Sequence, residues 1–132
     1  MNNLVKKHYD KDDIERQFIN KDILLWKEEV DCINAEIVFF KQLLKNKKDN
    51  DIYSKIIEKL ETKEKENNIL LANLIFYIRK TDGLKECEDI ECETYYLNDH
   101  ILFKNNIESF LFQYKKLKRL AYLKINEQNN LT

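Results

Sequence analysis

The chain contains no proline and a single glycine, Gly83, among its 132 residues. Because these two residues make most tight turns, a fold with many short connections, such as a β-sandwich or barrel, is excluded. Good helix formers dominate the rest, and 43% of the residues are hydrophobic, which is too many for a disordered charged chain. The sequence therefore predicts a single all-α domain over 1–132, an elongated antiparallel three-helix bundle with coiled-coil-like packing.

The first predicted helix, at about 12–47, carries two apolar stripes. The first stripe alternates spacings of four and three, which is typical of a helix that packs along another helix. It consists of Ile19, Ile23, Trp26, Val30, Ile33, Ile37, Phe40 and Leu44. The second stripe repeats every seven residues and consists of Phe18, Leu25, Cys32 and Phe39. Two stripes indicate a wide apolar surface, so we expect this helix to contact two neighbours.

The second predicted helix, at about 51–80, follows a short polar turn at 48–50 and must therefore return antiparallel to the first. The stripe of this helix that would face the first helix, here called its seam, is apolar at both ends but polar in the middle, at Lys63 and Asn67. The charged segment 61–68 could be a linker. Since it contains neither glycine nor proline, we predict that it is continuous helix. Gly83 then predicts a helix stop in the left-handed conformation.

An acidic connector at 84–93 leads to the third predicted helix, at about 94–127. Its seam is Phe103, Ile107, Phe110, Tyr114, Leu117 and Ala121. The rest of this helix is unusually apolar and also basic, so we expect another surface to cover part of it. The candidate interaction residues are Tyr95, Tyr96, Leu102, Phe112, Lys115, Lys116, Lys118, Arg119 and Tyr122. Pairing with a second copy of the chain is the simplest cover, and we predict a homodimer.

Charge and hydropathy limit the other partners. The 23 basic and 24 acidic residues nearly cancel, so only a local patch could attract nucleic acid. The cluster at 115–119 is such a patch, and it keeps a nucleic-acid-associated protein as a weaker alternative. No segment resembles a signal peptide, and none has about 18 consecutive apolar residues. We therefore expect a cytoplasmic protein without a membrane segment.

A row of acids on the first helix, Asp22, Glu29 and Glu36, lies between its two stripes. Carboxylates that project into a bundle hold metal in di-iron proteins, but the Glu-x-x-His partners of such sites are missing here. We interpret the row as ion-pairing residues that face Lys63 and other bases of the second helix.

The cysteines number three, Cys32, Cys87 and Cys92, and an odd number in this pattern does not imply a disulfide framework. Cys32 lies in the apolar stripe, where we expect it to be buried. Cys87, Cys92 and His100 are candidate metal ligands, although zinc would need a fourth ligand. We interpret Cys87 and Cys92 as inert thiols, with a reversible disulfide and a metal site as alternatives, and we predict no cofactor.

Several segments together carry a resemblance. They are Trp26-Lys27, the segment EIVFFKQLL at 36–44, the segment GLKEC at 83–87 with Cys92 after it, and the long aromatic and basic third helix. This pattern resembles a family of short uncharacterised bacterial all-helical proteins, over most of the chain. The resemblance implies a three-helix architecture, and it implies no activity and no site residue.

No pattern typical of catalysis is present: the sequence has no nucleophile with a base and orienting group, no phosphate loop and no acid–base pair. We therefore predict a non-enzymatic helical scaffold or adaptor that mediates protein–protein interaction. The alternative is a small-molecule-binding or metal-binding bundle that uses the acid row or the cysteine pair.

Overall fold

The structure is a computed structural model that describes the backbone of residues 11–46 and 51–131. Side chains are described for residues 16–46 and 51–127. The described residues form helices and contain no strand, which confirms the predicted all-α class. What the sequence predicted for residues 1–10 lies outside the described residues.

Three long helices are connected in the order α1 (Lys11–Lys45), α2 (Asp51–Thr81) and α3 (Ile90–Leu131), with a 3₁₀ turn at Asp82–Glu86 between α2 and α3. At about 1.5 Å per residue, helices of 31 to 42 residues are about 46 to 63 Å long. The charged segment 61–68 lies within α2 and is continuous helix, as predicted.

α1 and α2 run antiparallel. Asn34 Nδ2 donates to Asn68 Oδ1 at 2.7 Å, while Lys41, further along α1, lies 3.3 Å from Glu64, earlier in α2. The predicted turn at 48–50 that would join them lies outside the described residues.

α3 returns antiparallel to α2 and therefore runs parallel to α1. Lys63 of α2 donates to Gln113 of α3, whereas Tyr77, later in α2, contacts His100, earlier in α3. The three helices thus form an up-down-up bundle, and each helix contacts both of the others.

The first stripe of α1 forms the centre of the core. Every member, from Ile19 to Leu44, is buried, as predicted. The second stripe is exposed, with Phe18 59% and Phe39 54% accessible, and Cys32 is exposed as well. The expectation that Cys32 is buried is wrong, whereas the expectation that α1 contacts two neighbours is confirmed. α2 and α3 pack against the first stripe and the two sides next to it, so the second stripe faces away from both helices.

The polar centre of α2 is partly buried. Asn67 is fully buried, and its Nδ2 donates to the Val30 carbonyl at 3.0 Å and to Asn34 Oδ1 at 3.2 Å. Its own Oδ1 has no partner among the described residues. A buried asparagine with such partners favours one register, since sliding α2 along α1 would leave its amide unpaired.

The end of α2 differs from the prediction. Gly83 does not have a positive φ, and the chain continues from α2 directly into the 3₁₀ turn. Its lack of a side chain serves packing, because a Cβ at this position would collide with the hydroxyl of Tyr96.

α3 begins at Ile90, four residues before the predicted start at 94, so the acidic connector is shorter than predicted. Asp89 Oδ1 accepts a hydrogen bond from the Cys92 amide at 2.8 Å. This is an N-terminal cap, which satisfies an amide that the helix itself leaves unpaired.

Candidate interaction surface and buried polar relay

The outer face of α3 is the side of the helix opposite its buried seam. The residues at seven-residue spacing Ile107, Tyr114 and Ala121 are all buried against α1 and α2. On the opposite side, large apolar side chains are 47 to 61% accessible. The outer face comprises Ile101, Glu108, Phe112, Lys115, Lys116, Arg119 and Leu123.

Leu102 lies at the edge of the outer face beside α2, where it lines a groove with Leu70 and Phe76. Tyr122 lies at the edge beside α1, where its ring packs on Phe40 with ring centres 5.0 Å apart.

Basic side chains surround the apolar residues of the outer face. Lys115, Lys116 and Arg119 are exposed and form no ion pair with any described side chain. Lys116 Nζ lies 4.6 Å from the centre of the Phe112 ring, which is a cation–π distance. Glu108 is exposed and is also without an ion pair among the described residues. The surface is therefore apolar at its centre, and its charges are not neutralised within one copy.

The predicted interaction residues do not all lie on this face. Tyr96 is partly buried and packs against Gly83 and the core, away from the outer face. Tyr95 is exposed near the start of α3, where Lys80 Nζ lies 5.0 Å from its ring. Lys118 points to the side of the helix that faces α1, where it pairs with Glu36.

A chain of hydrogen bonds through Asp22, His100 and Tyr77 crosses the core and joins all three helices. We call this chain the relay. His100 Nε2 lies 2.9 Å from Asp22 Oδ2, and its Nδ1 lies 2.5 Å from the Tyr77 hydroxyl. Trp26 stacks on the imidazole with ring centres 5.1 Å apart. Lys104 Nζ lies 3.7 Å from the same Asp22 oxygen, at an ion-pair distance and near the surface.

The directions of these hydrogen bonds follow from the chemistry of the groups. A carboxylate only accepts, so His100 Nε2 donates to Asp22. In the tautomer that carries its one proton on Nε2, Nδ1 accepts from the Tyr77 hydroxyl. Burial raises the pKa of Tyr77, and the negative charges of Asp99 and Asp22 raise it further. Tyr77 and His100 are each only 4% accessible, so these two hydrogen-bonding groups lie within the core.

The acid row of α1 faces α3, and the prediction that it pairs with α2 is wrong. Glu36 accepts from Tyr114 and from Lys118, each at 2.8 Å. Burial raises the pKa of Tyr114, and its hydrogen bond to Glu36 raises it further. The expected partner, Lys63, is bonded to Glu66 and Gln113.

Glu29, the middle acid of the row, is half-buried and forms no ion pair with any residue that the structure describes. It lines a shallow groove of about 290 Å³ between α1 and α3. The walls of this groove differ in charge, with Glu28 and Glu29 on α1 and Lys115 and Lys118 on α3.

Cys87 and Cys92 form a disulfide with Cα atoms 5.5 Å apart. The interpretation of inert thiols is therefore wrong, because the early start of α3 brings Cys92 back toward Cys87. His100 is engaged in the core relay, so the structure does not bring the three candidate metal ligands together. Among the described residues, no group of three or more His, Cys, Asp or Glu side chains is arranged to bind a metal ion.

The fold and the outer face define an all-helical bundle that carries an exposed, apolar and basic helix surface. The chain matches no protein-family model, no curated protein and no solved structure. The resemblance to bacterial helical proteins therefore stays a prediction. None of the described helices is both long and apolar enough to cross a membrane.

Proposed function

We propose that the protein is a non-catalytic helical scaffold that binds other proteins and assembles as a homodimer through the outer face of α3. The observation that carries this proposal is the exposure of Phe112 and Leu123, 61% and 49%, which line one groove of α3 together with Tyr122. Contiguous apolar surface of this kind marks interfaces in proteins. A two-fold pair covers the same surface on both copies at once.

The dimer leaves a second apolar surface available to another protein. The stripe of Phe18, Leu25, Cys32 and Phe39 on α1 is exposed along its whole length. Its seven-residue spacing is suited to contact with a helix of a partner protein. A scaffold needs such a second surface, because the first is used for self-association.

The mass in solution tests the proposed dimer. Sedimentation velocity over the micromolar range should give twice the 16.1 kDa of one chain. Phe112→Glu places a charge in the interface and should produce the monomer. Phe18→Glu is the matched control, since Phe18 is an equally exposed phenylalanine, 59% against 61%, on another helix. A monomer at every concentration, or dissociation only by Phe18→Glu, would contradict assembly through α3.

Nucleic-acid binding is the second candidate function, because the same face combines Lys115, Lys116 and Arg119 with exposed aromatic rings. Phosphate contacts would make binding weaken steeply as salt rises. Retention of single-stranded or double-stranded nucleic acid that disappears in Lys115→Ala/Lys116→Ala and falls with salt would favour this function over the scaffold.

We also propose that the protein works in the cytoplasm. The exposed free thiol of Cys32 supports this, because reducing compartments tolerate such thiols. In that location the single Cys87–Cys92 bridge would be open to reduction. Trapping thiols with an alkylating reagent in intact cells, followed by mass measurement, tests its state.

A further inference from the structure

The acid row of α1 faces a row on α3 that has the same seven-residue spacing. Each acid has its counterpart 82 residues further along the chain, and the two rows are Asp22, Glu29 and Glu36 and Lys104, Leu111 and Lys118. At one end Lys104 Nζ lies 3.7 Å from Asp22, and at the other end Lys118 Nζ lies 2.8 Å from Glu36. The middle acid, Glu29, has a leucine as its counterpart. This series of ion pairs between α1 and α3 therefore lacks the base of its middle pair.

No described base takes the missing place. Glu29 is half-buried and forms no ion pair with any described residue. Lys115 lines the opposite wall of the same groove, but it is exposed and is likewise without an ion pair in the described part of the chain. Glu28, which is exposed, adds a second carboxylate to the α1 wall. Since carboxylates form their strongest hydrogen bonds with cationic donors, this wall is complementary to a positive group from outside the chain.

The groove at Glu29 has the shape for one long side chain. It has a volume of about 290 Å³, and Ile33 and Leu111, both almost fully buried, form its apolar floor. Cys32, a member of the second stripe of α1, borders the groove. The other three members of that stripe are phenylalanine or leucine, so the stripe is narrowest beside Glu29. An aliphatic stem that ends in a cation can lie on this floor and place its charge at the carboxylates.

We propose that a helix of a partner protein lies along the second stripe of α1 and inserts an arginine into the groove beside Glu29. The proposal rests on the proposed binding of a partner helix by this stripe, and it specifies the chemistry of that helix. Apolar residues flank the arginine, because Leu25 and Phe39 continue the stripe about 10 Å away on either side of Cys32. Arginine fits better than lysine, because its planar guanidinium donates two parallel hydrogen bonds to a carboxylate.

A pair of designed peptides tests this proposal. The arginine probe is a fluorescent amphipathic helical peptide of about 25 residues, long enough to span the stripe at about 1.5 Å per residue, with one arginine at the centre of its apolar face. The glutamine probe differs only in having glutamine at that position. The arginine probe should bind about tenfold more tightly, because only its guanidinium forms charged hydrogen bonds with Glu29. Fluorescence anisotropy titrations give both dissociation constants.

Variants of the protein locate the contact. Glu29→Gln should weaken binding of the arginine probe about tenfold and leave binding of the glutamine probe unchanged. Glu58→Gln is the control, because it makes the same change in net charge at an exposed acid of α2 that forms no ion pair with a described residue. It should leave both dissociation constants unchanged.

A substitution on α3 tests the missing base directly. Leu111→Lys supplies a base from within the chain and should weaken binding of the arginine probe about tenfold, because Glu29 is then already paired. Leu111→Met keeps the position apolar and should bind like the original chain. The comparison made with Glu29→Gln holds even if Leu111→Lys does not fold.

The outcomes separate this proposal from the proposed function. Tighter binding of the arginine probe, lost in Glu29→Gln but not in Glu58→Gln, supports the arginine site. Equal binding of the two probes, or an equal loss of both in Glu29→Gln, overturns this site and leaves the stripe as a surface that binds a helix. Failure of both probes to bind overturns the site and the helix-binding role of the stripe, whereas the homodimer is judged by its mass in solution.

Discussion

The hydroxyl of Tyr77 lies 2.5 Å from Nδ1 of His100, in the core and between two different helices. The other ring nitrogen of His100, which lies on α3, is bonded to Asp22 on α1, so one imidazole connects all three helices. Buried polar groups are costly when unpaired and specific when paired, because only one relative placement of the helices satisfies all of them.

Tyr77→Phe should destabilise the protein by about 1 to 3 kcal/mol, because it leaves Nδ1 of His100 buried without a partner. Tyr95→Phe removes the same atom from an exposed ring and should change the free energy of unfolding by less than about 0.5 kcal/mol. Urea denaturation of both variants measures the difference. Equal stability of the two variants would show that the relay does not stabilise the fold.

Alkaline pH should destabilise the fold through Tyr77 and Tyr114. The folded protein holds both pKa values above that of an unfolded tyrosine, chiefly because of burial. Above about pH 10 the unfolded chain therefore loses protons that the folded chain keeps. The stabilising contribution is complete below that pH and is lost as pH rises, by up to about 1.4 kcal/mol per pH unit for each group.

Unfolding free energies between pH 8 and about 11.5 would show this dependence. Tyr77→Phe/Tyr114→Phe should flatten the curve, because neither phenylalanine ionises. An unchanged slope in the double variant would mean that other groups cause the alkaline loss.

The core of α1 could be predicted from sequence because alternating four- and three-residue spacing fixes which side of a helix is apolar. The partner of the acid row could not be predicted. Spacing places Glu36 beside the seam, but the handedness of the bundle decides which neighbouring helix lies on that side. Here α3 lies there, and Glu36 binds Lys118 instead of a base of α2.

The sequence contains one signal of the relay, which is the position of His100. His100 lies seven residues before Ile107 and therefore continues the buried seam of α3. A histidine at a seam position needs buried partners, which indicates a polar network. The identity of those partners, Asp22 and Tyr77, depends on the relative positions of three helices and is not contained in local spacing.

Glu36→Gln should cost about 1 kcal/mol, because the neutral amide weakens the contacts with Tyr114 and Lys118 at a half-exposed site. Glu29→Gln is the matched control, since Glu29 belongs to the same row and is also half-buried, but forms no described ion pair. Thermal denaturation at low and high salt measures both. The prediction fails if the two variants melt together, or if the loss in Glu36→Gln does not shrink at high salt.

The Cys87–Cys92 bridge should stabilise the protein by about 2 kcal/mol, because it restricts the conformations of the unfolded chain. The gain is modest because the bridge closes a short loop, and closing a short loop removes little entropy from the unfolded chain. Cys92→Ser, which keeps a small side chain in the first turn of α3, should lose this amount. The original chain in reductant should lose the same amount, since both changes open the same bridge. Cys32→Ser, at an exposed thiol outside the bridge, should unfold at the same urea concentration as the original chain. A reductant effect that persists in Cys92→Ser would show that the bridge is not its source.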